Sequence, residues 1–362
     1  MAGGNIGPRG AMVGDLLDMM KLNERLYHLI KSDKDFFMGI RYDSVNLYYM
    51  GGSAGKISVA GNKLKYEFDP GYWKSESKIP IDIEEFIDNV DLVKENIKRY
   101  QNGDTGNGKK GEKIAQQAIV CSNNENSDPD WFCIDMEYVM SQTDRSQLKF
   151  GRFDIVALTK KKQENHKYGV ALIELKHGCG AYGFDTTKYR DIETDENIIK
   201  DIIALKYQDN VFRCGIVGHV YSYLQYLTYD KPVGDYKSSY DLLKNEIVNI
   251  VKQRKNFGLE CPIPDDLTVE QIDDKPGIYF ITVGADDLEK AKLQMNKYIF
   301  DKAKSSSYNV ERILGAENLE KMRDFDFKFY FSESNKFGDN KIIKDIINDE
   351  SYTKESVSSL AL

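Results

Sequence analysis

The run Val170-Ala171-Leu172-Ile173-Glu174-Leu175-Lys176 constrains the fold more than any other stretch of the chain. It reads as the body of a β-strand spanning roughly 168–176. Side chains alternate along a strand, so residues two apart share a face. Ile173 and Leu175 therefore point one way into apolar packing, and Glu174 and Lys176 point the other way. A preceding strand, roughly 150–158, lies across a charged loop and carries Asp154. A carboxylate and an ammonium thus end an otherwise apolar strand, and its neighbour supplies a second carboxylate. Such a set reads as a divalent-metal site beside a lysine. The alternative is an ion pair at a sheet edge, which stabilises by about 0–1 kcal/mol and is common. Two charges at the end of so apolar a strand, with a third on its neighbour, favour the metal site.

At Asp154 and at Glu174-Leu175-Lys176, twenty residues on, the sequence resembles the PD-(D/E)XK nuclease superfamily. Where that superfamily has proline, this chain has Phe153. The resemblance covers roughly residues 111–230. It implies a restriction-endonuclease-like mixed sheet flanked by helices, and a nuclease that uses Mg2+ or Mn2+ to hydrolyse phosphodiester bonds, with DNA as substrate. Asp154, Glu174 and the backbone carbonyl of Leu175 would hold the metal. A helix before the sheet often adds another acid, and Glu112 is the position picked out; otherwise Glu112 is a first-turn acid facing the helix dipole. Asp154, Glu174, Lys176 and Glu112 would carry catalysis. Gln116, with Gln117 beside it, is a candidate for phosphate contact. His219 lies on a helix after the Glu-x-Lys strand, where several branches of the superfamily donate polar residues to the site. Asp135 is a reserve candidate on a strand whose charged face, with Glu137, reads as partly solvated.

Composition narrows the class. The chain has 362 residues, 41% hydrophobic and 30% charged, as a water-soluble globular protein would. No apolar run approaches the eighteen or so residues of a membrane span, and the N-terminus lacks the pattern of a secretory signal. Five scattered cysteines (Cys121, Cys133, Cys179, Cys214 and Cys261) without a C-x-x-C pair argue against zinc and a disulfide framework. A reducing cytoplasm fits them. The net charge of −8 argues against a protein that coats nucleic acid, so contact with DNA would rest on local basic clusters such as Lys160–Lys162 or Lys109–Lys113.

Two parts are expected. Residues 1–104 read as an α+β N-terminal domain: a helix over 12–31, a meander with strands near 36–41, 45–50, 56–60 and 64–68, and a helix over 82–100. The meander's aromatics, including Tyr48, Tyr49, Tyr66, Tyr72 and Trp73, are expected to fill its core rather than form a stacking surface. The polar segment 101–110 spells G-x-x-x-x-G-K but continues with Lys110 instead of Ser or Thr and follows a charged helix, so it reads as a linker and not a phosphate loop. Residues 105–362 read as the α/β nuclease-like domain. Its helices are expected over 111–120, 194–208, 217–227, 240–252 and 287–300. Its strands are expected over 131–140, 150–158, 168–176, 277–283 and, as an edge, 325–331. The rival function is a catalytically silent nuclease-fold module that binds nucleic acid or protein partners. Homodimerisation is left open by the sequence.

Overall fold

The computed structural model describes residues 8–74, 78–106, 110–125, 130–140, 151–178, 216–229, 232–284, 325 and 327–331. The helices expected over 194–208 and 287–300 lie outside these residues. The fold is mixed α+β, with two sheets flanked by helices. The first sheet is antiparallel, and its strands lie in chain order: β1 (Phe37–Ile40), β2 (Ser44–Tyr49), β3 (Gly52–Ala60) and β4 (Lys63–Glu67). Val45, Leu47, Ile57 and Tyr66 supply its buried face. The β2–β3 turn is Met50-Gly51, with φ of 48° and 73°. Two positive φ values in a two-residue loop match the right-handed twist of the flanking strands. Strand β3 therefore begins at Gly52, four residues earlier than the sequence pattern suggests. Tyr48, Tyr66 and Trp73 are buried, and Tyr49 and Tyr72 pack partly buried against the same core.

Both helices expected in this half are divided. Residues 12–31 form α1 (Gly14–Leu22) and α2 (Glu24–Ser32), separated by Asn23. The Asn23 side chain accepts the Leu26 N–H at 3.0 Å and caps α2; short polar side chains favour such caps over helix interiors. Asn89 likewise separates α3 (Ile83–Asp88) from α4 (Val90–Asn102). Helix α4 stops at Gly103, a left-handed residue with φ of 85°.

The second sheet runs β5 (Trp131–Val139), β6 (Arg152–Thr159), β7 (Val170–His177), β8 (Gly277–Val283) and β9 (Phe327–Phe331), again in chain order. β5, β6 and β7 pair antiparallel, while β7–β8 and β8–β9 pair parallel. β8 is buried along its length after Gly277, as an apolar strand with neighbours on both sides must be. Helices α5 (Gly111–Glu125), α6 (Ile216–Thr228) and α7 (Ser239–Phe257) accompany this sheet. No helix among the described residues is long and apolar enough to cross a membrane.

Buried hydrophobic residues of both sheets form one continuous cluster. A charged network crosses the same interior. Asp135, 1% exposed, accepts from Arg9 at 2.5 Å and from Arg41 at 2.7 Å. Glu246 of α7 accepts the Arg9 backbone N–H at 3.0 Å and the Tyr138 hydroxyl at 2.5 Å. This corrects the expectation of a partly solvated Asp135. The β5–β6 register shifts between Cys133 and Asp135, and such bulges re-aim a side chain. Asp135→Ala would leave a buried and a half-buried guanidinium without their carboxylate. Losing one partner of a buried pair costs about 3–5 kcal/mol. Urea denaturation is expected to show a loss of that size, and an unchanged midpoint would contradict it.

Candidate active site

The paired region of β6 and β7 ends at Ile155 opposite Ile173. Carried one residue further, the same register sets Asp154 opposite Glu174. Directly opposed residues of an antiparallel pair share a face, with Cα atoms about 4.5–5.5 Å apart. The Asp154 carboxylate then takes the place of a ladder carbonyl: its Oδ2 accepts the Leu175 N–H at 2.8 Å. Lys176 follows on the Glu174 face, and its Nζ donates to Glu174 Oε1 at 2.6 Å and to the Leu175 carbonyl at 3.1 Å. Two helices close on this end of the sheet. From α5, Glu112 Oε2 lies 3.6 Å from Lys176 Nζ. From α6, His219 Nδ1 lies 2.8 Å from Glu174 Oε1, and the Tyr223 hydroxyl donates to Glu174 Oε2 at 3.2 Å. Gly111 opens α5 because the His177 ring stands against it; a Cβ there would meet the ring at 2.6 Å.

Burial makes these charges count. Glu174 is 2% exposed and Lys176 8%, while Asp154 is half-buried. Burial alone would raise the Glu174 carboxyl, but His219 and Lys176 outweigh it and hold it at about 2. Burial would lower the Lys176 ammonium, but Glu174, Asp154 and Glu112 together push it above its ordinary range. Lys176 is therefore a fixed positive charge in this arrangement. Asp154 goes the other way: burial, then the neighbouring Glu174 charge, raises its carboxyl well above the usual range, and Lys176 only partly offsets this. Three carboxylates, those of Asp154, Glu174 and Glu112, thus share the site with Lys176 and His219.

Each expected site residue has a definite place. Asp154, Glu174, Lys176, the Leu175 carbonyl, Glu112 and His219 converge. Gln116 is 1% exposed and donates to the Asp154 backbone carbonyl at 2.5 Å; it holds the strand under the site instead of facing solvent. Gln117 is buried too, turned toward the first sheet, where its amide reaches Gly51, Asp35 and Tyr48. Asp135 is occupied by Arg9 and Arg41. Tyr223 is the residue that strand patterning alone did not single out. Its signal was its position four residues after His219, which puts both on one helix face. Phe153 replaces a proline with an aromatic anchor: its ring lies 4.7 Å from Tyr223, 4.8 Å from Tyr226 and 5.3 Å from Tyr138. The tyrosine that grips Glu174 is thus seated on the residue before Asp154.

Among the described residues, no three carboxylate, histidine or cysteine side chains form a ready metal-holding group. The donor chemistry nevertheless suits a hard divalent cation, which takes carboxylate and carbonyl oxygens. Asp154, Glu174 and the Leu175 carbonyl offer these at one strand end, and the raised Asp154 carboxyl marks the charge a cation would neutralise. No protein-family model, no curated protein and no solved structure matches the chain.

The strain at Asp154 has a measurable consequence. Its carboxyl is raised only in the folded state, so the folded chain releases that proton less readily than the unfolded chain. Stability is then lost as pH rises beyond the ordinary value of 3.8. Asp154→Asn removes the penalty and keeps an acceptor for Leu175. Its denaturation midpoint at neutral pH, without divalent cations, is expected to rise by about 0.5–2 kcal/mol, a common gain when a strained functional group is relieved. A fall would show that Asp154 is compensated.

Proposed function

We propose that the chain is a divalent-cation-dependent nuclease of the PD-(D/E)XK, restriction-endonuclease-like class, with DNA as substrate. The observation that carries this reading is the opposition of Asp154 and Glu174 across neighbouring strands, with Lys176 on the same face and Glu112 and His219 above it. Residues 105–362 would form the nuclease unit and residues 1–104 its N-terminal companion. A cation held by Asp154, Glu174 and the Leu175 carbonyl, with Glu112 alongside, would polarise a phosphoryl oxygen and lower the pKa of water.

The chain's own residues account for the rest. Lys176 is already charged before substrate arrives, so it offsets negative charge developing at phosphorus without reorganisation. Glu174 keeps Lys176 in place at 2.6 Å, and His219 and Tyr223 fix the Glu174 carboxylate from the other side. Gln116 holds the Asp154 backbone, so the two carboxylates remain opposed. The buried setting strengthens each of these interactions relative to water.

A second reading has one observation in its favour. Both Glu174 oxygens already meet protein groups, as they would in a silent nuclease-fold module that binds nucleic acid or a protein without cutting. Purified protein incubated with plasmid, single-stranded DNA and RNA separates the two. Cleavage is expected with Mg2+ or Mn2+ and not with EDTA. Lys176→Ala is expected to lose about 10²–10³-fold in rate, the usual effect of deleting one preorganised charge. Binding without cleavage under any cation would favour the silent module, and cutting by Lys176→Ala at the full rate would remove the proposed mechanism.

A further inference from the structure

The row of carboxylates does not end at Asp154. β5 and β6 pair Met136 with Ile155 and Tyr138 with Phe153, which sets Glu137 opposite Asp154. Glu137, Asp154 and Glu174 thus follow one another across β5, β6 and β7. Glu137 is also a non-glycine residue with φ of 56° inside a strand. Such a conformation is strained and persists where the surroundings enforce it, often at functional sites. Here Arg41 holds the Met136 carbonyl at 2.9 Å and Arg9 reaches the Glu137 carbonyl at 3.4 Å. The strained backbone presents the Glu137 carboxylate to Lys113 of α5, with which it makes an ion pair.

Lys113 is adjacent to Glu112 in the first turn of α5, at the mouth of the site. Its side chain is 36% exposed and that of Glu137 33%, so it is open to a phosphate flanking the one at Lys176. Its backbone is pinned: a Cβ on Gly51 would lie 2.2 Å from the Lys113 carbonyl. A nucleic acid approaching this face meets the carboxylates of Glu112, Glu137 and Asp154, and its phosphates flanking the reacting one need a cation of their own. A half-exposed ion pair contributes little to stability, so a phosphate can take the place of its carboxylate.

We propose that Lys113 binds a backbone phosphate next to the scissile one, and that Glu137 is the internal counterion this phosphate displaces. The assignment rests on the nuclease reading and adds a phosphate subsite to it. The two residues then act on binding with opposite signs. Lys113 draws the polyanion in, and Glu137 competes with it for the same ammonium.

The test is fluorescence anisotropy with a labelled DNA duplex in EDTA, over a salt titration, on the full-length chain. Lys113→Gln is expected to weaken binding and to reduce the magnitude of the slope of log K against log salt by about 0.9, the share of one phosphate contact. Lys113→Arg is expected to restore the slope. Glu137→Gln is expected to tighten binding, by up to about fivefold for a pair worth up to about 1 kcal/mol. Circular dichroism checks folding, and if Lys113→Gln is unfolded the Glu137→Gln arm decides alone. If the wild type binds and cuts while Glu137→Gln binds no tighter, or folded Lys113→Gln keeps the full slope, this subsite is overturned and the nuclease reading stands. A wild type that neither binds nor cuts DNA overturns both.

Discussion

Two carboxylates face each other where β6 and β7 stop pairing, and the rest of the site is arranged around that conflict. The register that buries Ile155 against Ile173 leaves Asp154 and Glu174 no choice but to share a face. Like charges held this close raise at least one carboxyl unless something compensates. The chain compensates asymmetrically. Glu174 receives Lys176, His219 and Tyr223 and is held at about 2, while Asp154 receives a single backbone N–H and remains strained upward. One carboxylate is made permanent and the other is left in want of a positive charge. That division is the physical ground of the proposal that the site takes a cation.

The same molecule shows what a structural buried charge looks like. Asp135 sits between two guanidinia, each of its oxygens engaged by one of them, and it joins the N-terminal segment to β5 and β1. Glu246 similarly takes a backbone N–H and a tyrosine hydroxyl. In both, each carboxylate oxygen is engaged by a donor in the interior. The contrast separates the Asp154 cluster from ordinary interior ion pairs. It also explains why Asp135, equally acidic and in the strand next to β6, belongs to the framework and not to the site.

Much of this was legible in the sequence because a period of two transfers directly into three dimensions. The alternation in Ile173-Glu174-Leu175-Lys176 gave the face, and the strands at 131–140, 150–158, 168–176 and 277–283 emerge within a few residues of their predicted limits. Glu112 could be placed because its spacing to Ala115 and Ile119 turns it inward. Other features depended on information no local pattern carries. Asp135 alternates with apolar residues as a solvated face would, but both faces of β5 are covered, and Arg9 and Arg41 come from distant segments to meet it. Asn23 and Asn89 divide helices whose apolar spacing is continuous, because a side chain competes there with the helix backbone. Lys113 and Glu137 were visible only as one residue of a basic run and one of an alternating strand; their meeting depends on how α5 crosses β5.

The first sheet bears on the site through one helix turn. Gln117 of α5 accepts the Gly51 N–H at 2.6 Å and donates to the Asp35 and Tyr48 carbonyls, while Gln101 of α4 holds the Met50 carbonyl at 3.1 Å. The β2–β3 turn is thereby clamped against the backbone of Lys113, at a distance only glycine allows. Glu112 and Lys113 sit on that clamped turn. Their positions over the carboxylate row are consequently set in part from outside the second sheet, by a hairpin whose two left-handed residues bring its backbone to the helix. An isolated second sheet would keep Asp154, Glu174 and Lys176 in register, because their alignment is a property of β6 and β7. It would also hold the helix turn from its own side, through Lys176 to Glu112, Glu137 to Lys113 and the Asp154 carbonyl to Gln116, so the hairpin of the first sheet completes a grip that the second sheet begins.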